Sequence, residues 1–342
     1  MRDAFVGTLR GLAEADPRVI LMTGDLGFGV LTSFAKDRPA QYLNVGVAEQ
    51  NLTGVACGAA LSGHVVFTYS IGNFPTLRCL EQIRNDVCYH DANVKIVAIG
   101  GGFSYGSLGI SHHATEDIAI LRSLPGMTVL CPGDVREAVE ATRIAYRTPG
   151  PCYLRLDKSA APDVPGSDDR IVTGTPRRLR AGSQVAVFGV GGVLEEALQA
   201  AAVLDRDGLS CGVYSVHTIK PLDTGAIAAI VRDAALVVTV EEHTIDGGLG
   251  SVVLEACATE GVWPARLLRF AMKNEFSSVV GSQKYLRARY GLSAEALVRA
   301  IRAENFTTPQ LHNSQSTPNV PTARTAKQET KHSSEESKAS SS

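Results

Sequence analysis

Apolar positions along this chain fall into two alternating rhythms. Short, nearly unbroken apolar runs at 19–22, 65–69, 95–99, 127–130 and 152–158 have the length of buried strands. Between them, apolar residues recur at helical spacing. Phe5, Leu9 and Leu12 line one face of 3–16, and Leu77, Leu80, Ile83 and Val87 line one face of 76–89. Shorter helices are predicted at 117–124 and 135–146. Strands separated by helices of ten to fifteen residues define a parallel, doubly wound α/β sheet.

The rhythm breaks at 159–182, where Pro162, Pro165 and Pro176 interrupt it, and then resumes. Strands are predicted at 184–188, 213–216, 235–240 and 267–270, with helices at 193–207, 223–232 and 249–259. The fold class expected is therefore α/β with two doubly wound domains, 1–160 and 183–302, joined by a linker at 161–182. Residues 303–342 are mostly polar and carry too little apolar surface to repay the entropy of ordering, so a disordered tail is expected.

A chain of 342 residues with a net charge of −2 can build two full cores and has no basic footprint for nucleic acid. No apolar run reaches the length of a membrane span, and no signal peptide is evident. Its seven cysteines include no Cys-x-x-Cys pair and lie mostly in apolar segments. They read as reduced core thiols of a cytoplasmic protein.

The chemistry concentrates after the early strands. An apolar run ends at Asn44, and Gly-Val-Ala-Glu-Gln-Asn at 46–51 opens a helix of small residues. Glu49 leads that helix. A carboxylate there is costly to bury ionised, so it must be solvated, paired, or protonated and used as a donor. A glycine-rich turn, Thr-Gly-Asp-Leu-Gly-Phe-Gly at 23–29, follows the first strand, where open α/β sheets collect ligands. A long glycine-rich loop from Gly100 closes on His112 and His113, and a neutral-pH imidazole at such a junction can donate to or shuttle protons for a developing alkoxide.

Taken in order, Thr-Gly-Asp-Leu at 23–26, Gly-Val-Ala-Glu-Gln at 46–50, Ser-His-His-Ala-Thr-Glu-Asp at 111–117 and Glu-Glu-His-Thr-Ile-Asp-Gly-Gly at 241–248 resemble the transketolase family. The likeness is to its pyrimidine-binding and C-terminal domains and covers roughly residues 1–300. It implies that Glu49 hydrogen-bonds the aminopyrimidine of thiamine diphosphate, that Phe74 (with Tyr69 as a rival) stacks on that ring, and that Asp25 lies near the thiazolium. It further implies that His112 and His113 contact sugar oxygens as catalytic groups, and that Lys158 stands where relatives bind a sugar phosphate by arginine. Leu108 stands where relatives read an α-hydroxyl by aspartate. The Gly-Asp-Gly…Asn motif that holds Mg²⁺ or Ca²⁺ and the diphosphate in such enzymes has no counterpart here. A diphosphate-binding partner subunit is therefore expected, in an α₂β₂ assembly acting on sugars or sugar phosphates. The rival expectations are a 2-oxo acid dehydrogenase E1 β-type subunit serving a carrier domain, and a non-catalytic binding subunit. The Glu-Glu-His group at 241–243 is expected to support the C-terminal domain or an interface.

Overall fold

The early apolar runs become the strands of one sheet because each is buried along its whole length, the signature of parallel strands covered on both faces. A computed structural model describes residues 1–168 and 170–304. It contains strands β1 (Val19–Thr23), β2 (Tyr42–Asn44), β3 (Val65–Ile71), β4 (Val94–Ile99), β5 (Thr128–Leu130) and β6 (Cys152–Leu156). Then follow β7 (Arg177–Arg180), β8 (Val185–Gly189), β9 (Cys211–Ser215), β10 (Thr218–Lys220), β11 (Leu236–Thr244) and β12 (Leu267–Met272). The first sheet runs β10-β5-β6-β4-β3-β1-β2 and the second β12-β11-β8-β9-β7. Pairing is parallel except that β10 lies antiparallel to β5, and β7 antiparallel to β9. Two α/β domains of the expected class result.

Three local expectations are corrected. The segment 161–182, expected to be a linker, carries strand β7. With three arginines in four positions it does not read as a strand, but Arg177 is buried and pairs with Asp134 at 2.5 Å and Glu137 at 3.1 Å. The single helix expected at 76–89 is instead a 3₁₀ turn (Leu77–Cys79), one α turn (Leu80–Gln82) and a π-helical stretch (Ile83–Cys88). Insertion of such a turn shifts the register of the apolar face, and π turns concentrate at functional sites. Strand β10, in the second half of the sequence, joins the first sheet, so the two halves share an edge. The tail beyond 304 lies outside the described residues.

The core is shared as well. One buried cluster runs from Leu52, Ile83 and Leu121 to Val216, Ile227 and Leu249, spanning both halves. Beside it lies a seam of buried charge. Arg155, fully buried, donates to Asp117 at 2.9 Å and to Asp157 at 3.3 Å, and Arg287 pairs with Glu242. Among the described residues no helix is long and apolar enough to cross a membrane.

Candidate active site

Because β1 to β4 and β6 run parallel, the segments that follow β1, β2, β3 and β4 all leave at one edge of the sheet, where ligands bind in open α/β folds. The first two are knitted together. Asp25 adopts a left-handed backbone (φ 58°) and donates its N–H to Asn44 Oδ1 at 2.9 Å. Asn44 Nδ2 returns a bond to Asp25 Oδ1 at 3.0 Å, and Gly46 N–H also donates to Asn44 Oδ1. Asp25 thus shapes the turn beside Glu49, and its side chain is exposed. A Cβ on Gly24 would lie 3.3 Å from Gly46 O and 3.6 Å from Glu49 Cγ, so the small residue lets the two turns close up.

Glu49 is the first residue of the helix Glu49–Leu61, where a carboxylate interacts favourably with the helix dipole, and only 3 % of it is exposed. Of the three fates open to it, the structure selects pairing: Arg78 Nη1 donates to Glu49 Oε2 at 2.7 Å. The Arg78 guanidinium also covers the ring of Phe74, 4.5 Å from its centroid, within cation–π range. The His112 ring meets Phe74 edge-on at 5.0 Å, Tyr105 lies 6.1 Å beyond, and Lys158 Nζ sits 3.7 Å over Tyr105. The site is therefore a continuous row: Glu49, Arg78, Phe74, His112, Tyr105, Lys158.

The row gathers four of the residues expected from sequence and adds two. Tyr69, the rival to Phe74, is buried and stacked on Phe5, which makes it core. His113 points away from the row: it is fully buried, edge-on to Phe103 at 5.3 Å, with Nε2 at 3.3 Å from Gly106 O. Leu108 ends a 3₁₀ turn and is 54 % exposed. Arg78 and Tyr105 escaped sequence reasoning. Arg78 lies off the apolar face of the expected helix at 76–89, and nothing near it in sequence points to Glu49. Tyr105 carried one signal, the glycine at 100 with φ 97°, where a Cβ would come within 2.3 Å of the tyrosine ring. Burial pulls the His112 imidazole below its ordinary pKa, so it stays neutral at neutral pH. Its Nδ1 lies 3.0 Å from Ser111 Oγ.

The row thus joins a buried carboxylate, an arginine, a half-buried aromatic face and an imidazole. Comparisons with known proteins identify the family. The transketolase pyrimidine-binding domain matches residues 1–163, and the transketolase C-terminal domain matches 174–297. The chain belongs to the transketolase family.

Its likeness extends to split enzymes. It is 36 % identical over 300 residues to a subunit of the apulose-4-phosphate transketolase of Phocaeicola vulgatus, covering 87 % of this chain and 95 % of that one. It is 35 % identical to a subunit of the 6-deoxy-6-sulfo-D-fructose transketolase of a Clostridium species, covering 88 % and 92 %. A solved split-gene transketolase, described as an inactive β4 tetramer, superposes with a TM-score of 0.80 at 34 % identity, covering 88 % of this chain and 97 % of that one. The chain thus comprises the pyrimidine-binding and C-terminal domains of a transketolase, and it matches these subunits over nearly their full length.

Proposed function

We propose that this subunit transfers a two-carbon ketol unit from a ketose to an aldehyde, and that it is active only when a partner subunit supplies the metal and diphosphate half of the site. The observation that carries the reading is the burial of Glu49 at the head of its helix, linked to the Phe74 ring through Arg78. Glu49 and Phe74 would hold the aminopyrimidine of thiamine diphosphate, and the bound cofactor would supply the nucleophilic carbon for ketol transfer. With the pyrimidine in place of Arg78, the Glu49 carboxyl would hydrogen-bond the ring nitrogen and share a proton with it, a positioned proton transfer of a kind typically worth ~10²–10⁴ in rate. Phe74 offers its flat face to the pyrimidine, and Arg78 gives up that face and its Glu49 oxygen as the ring enters. His112, with Nδ1 engaged by Ser111, turns Nε2 toward the sugar oxygens. Lys158 holds an anionic sugar terminus as a point charge. Asp25 fixes the turn next to Glu49.

The split-gene relative described as inactive supports the need for a partner. Mg²⁺ or Ca²⁺ is assigned to that partner, in an α₂β₂ complex. Seven free cysteines, six of them buried, support a reducing, cytoplasmic setting. The test is calorimetry with Mg²⁺ and thiamine diphosphate. The isolated chain should give little heat, and the reconstituted complex clear binding with ketol-transfer activity. Tight stoichiometric binding by the isolated chain would overturn the split site.

A further inference from the structure

The loop that carries His112 belongs to the first half of the chain, but its base is held from the second. We infer that Glu242 is a positioning residue for catalysis, holding the histidine loop in register across the domain boundary. This rests on the reading of His112 as a group that contacts substrate.

Glu242 lies near the end of β11 with 1 % of its surface exposed. Its Oε2 accepts the backbone N–H of Phe103 at 2.9 Å, a contact between residues 139 positions apart. Gln283 Nε2 donates to both carboxylate oxygens, at 3.1 and 2.9 Å, and Arg287 Nε donates to Oε1. The carboxylate is thus clamped by the helix Gln283–Arg289 on one side and spends its remaining capacity on the loop. The fit is close: Gly102 has φ 57°, and a Cβ there would lie 2.3 Å from Glu242 Oε2. Gly102 and Ala114 exchange both backbone bonds, at 2.8 and 3.1 Å, and so close the loop at its base directly above Glu242.

The hold passes outward from there. Phe103 is gripped between Tyr290, stacked at 5.4 Å, and His113, edge-on at 5.3 Å. His113 Nε2 reaches Gly106 O, and Gly281 N–H donates to the same oxygen at 3.2 Å. On the other side of the base, Thr244 N–H donates to Thr115 O at 2.7 Å, and Ala119 N–H donates to His243 Nε2 at 3.2 Å. His112 therefore projects from a loop whose two ends are both fastened to the Glu-Glu-His-Thr segment. A displacement of about 1 Å at a catalytic group can cost about 10²-fold in rate, which sets the scale of the effect.

The test uses the reconstituted complex with thiamine diphosphate and Mg²⁺, with β-hydroxypyruvate as the ketol donor. Glu242→Asp keeps a buried carboxylate for Arg287 but shortens its reach to Phe103. Expected is a loss of about 10²-fold in kcat/KM with the thiazolium proton exchange rate unchanged. Because Glu242 acts through His112, the double variant Glu242→Asp/His112→Ala should lose no more than His112→Ala alone. Gln283→Leu, which leaves the Arg287 pair in place, should move kcat/KM in the same direction by less. Losses that multiply in the double variant, a wild-type kcat/KM for Glu242→Asp, or proton exchange slowed in parallel would each overturn the inference. A wild-type rate for His112→Ala would instead remove the role of His112, and this inference with it.

Discussion

The row from Glu49 to Lys158 and the seam from Asp117 to Arg287 are both dense in charge and lie in one compact unit, yet they are built on opposite terms. In the row, the cations keep an open side, and the buried Glu49 has one of them as its ionic partner. Arg78 is about half exposed while it pairs with Glu49, and Lys158 rests on a ring with no carboxylate in contact among the described residues. In the seam, the charges are buried and held by several partners, although Asp117 Oδ1 has none. Arg155 meets two carboxylates and two backbone carbonyls, and Asp117 also accepts from Tyr153 Oη. A buried charge held by several partners cannot respond to a ligand without a large penalty, whereas a pair with one solvated member can exchange partners cheaply. Chemistry belongs to the row, and the seam keeps the row in place.

The sharpest break of this comparison is Glu49→Gln. Turnover of the reconstituted enzyme and thiazolium proton exchange, followed by NMR, should both fall by ~10²–10⁴, because an amide cannot share a proton with the pyrimidine. Melting temperature and subunit association should hold. An unchanged exchange rate would refute the role assigned to Glu49. The matching cut in the seam is Arg155→Met, which leaves Asp117 and Asp157 buried without their cation. It should destabilise the chain by about 3–5 kcal/mol, read from urea unfolding. A loss under about 1 kcal/mol, the range of exposed pairs, would show that the seam is no more structural than the row.

The sequence carries these two regions unequally. Glu49 is legible because its turn, its carboxylate and its small-residue helix lie within a few consecutive positions. The strands around it are legible as short apolar runs, whereas their order in the sheet is not. Phe74 and Tyr69 could be separated only by burial, which depends on Phe5 packing from a distant helix. Arg78 was hidden by the irregular turns of 77–88, which defeat a helical projection. Strand β7 was hidden because its arginines look solvated until Asp134 and Glu137 arrive from 43 and 40 positions away. The Glu-Glu-His segment was visible as a motif, but nothing local reveals that Glu242 reaches Phe103.

A smaller effect separates the row from an ordinary surface. Burial lowers the His112 pKa, so the neutral imidazole persists to lower pH than usual. If turnover needs that neutral form, activity falls only as pH drops through the lowered value. The acid limb of kcat/KM assigned to His112 should then lie below the ordinary histidine value of about 6.5. His112→Ala should abolish that limb. A limb at or above the ordinary value would mean that His112 is either solvated or held beside a carboxylate in the working complex.

The smallest effect is expected at Leu108, on the rim of the row. The resemblance sets Leu108 where an aspartate would read the α-hydroxyl of the sugar, and a leucine side chain can neither donate nor accept a hydrogen bond. An apolar contact discriminates between substrates by about 10–200-fold at most, whereas a site built to bond a hydroxyl rejects the analogue lacking it by ~10⁴ or more. More than half of Leu108 is exposed in this chain, so even the apolar contact is weak until a partner or substrate covers it. Leu108→Ala should therefore change kcat/KM for paired α-hydroxy and α-deoxy aldehydes by less than about tenfold, and by similar amounts for both. The ratio between the pair should be small in the wild type already, which would fit a substrate other than the usual pentose phosphates. The decisive measurement is that ratio in the reconstituted enzyme. If D-ribose 5-phosphate is strongly preferred and the preference disappears with its α-hydroxyl, some other group in the complex reads that hydroxyl, and Leu108 is a bystander at the edge of the row.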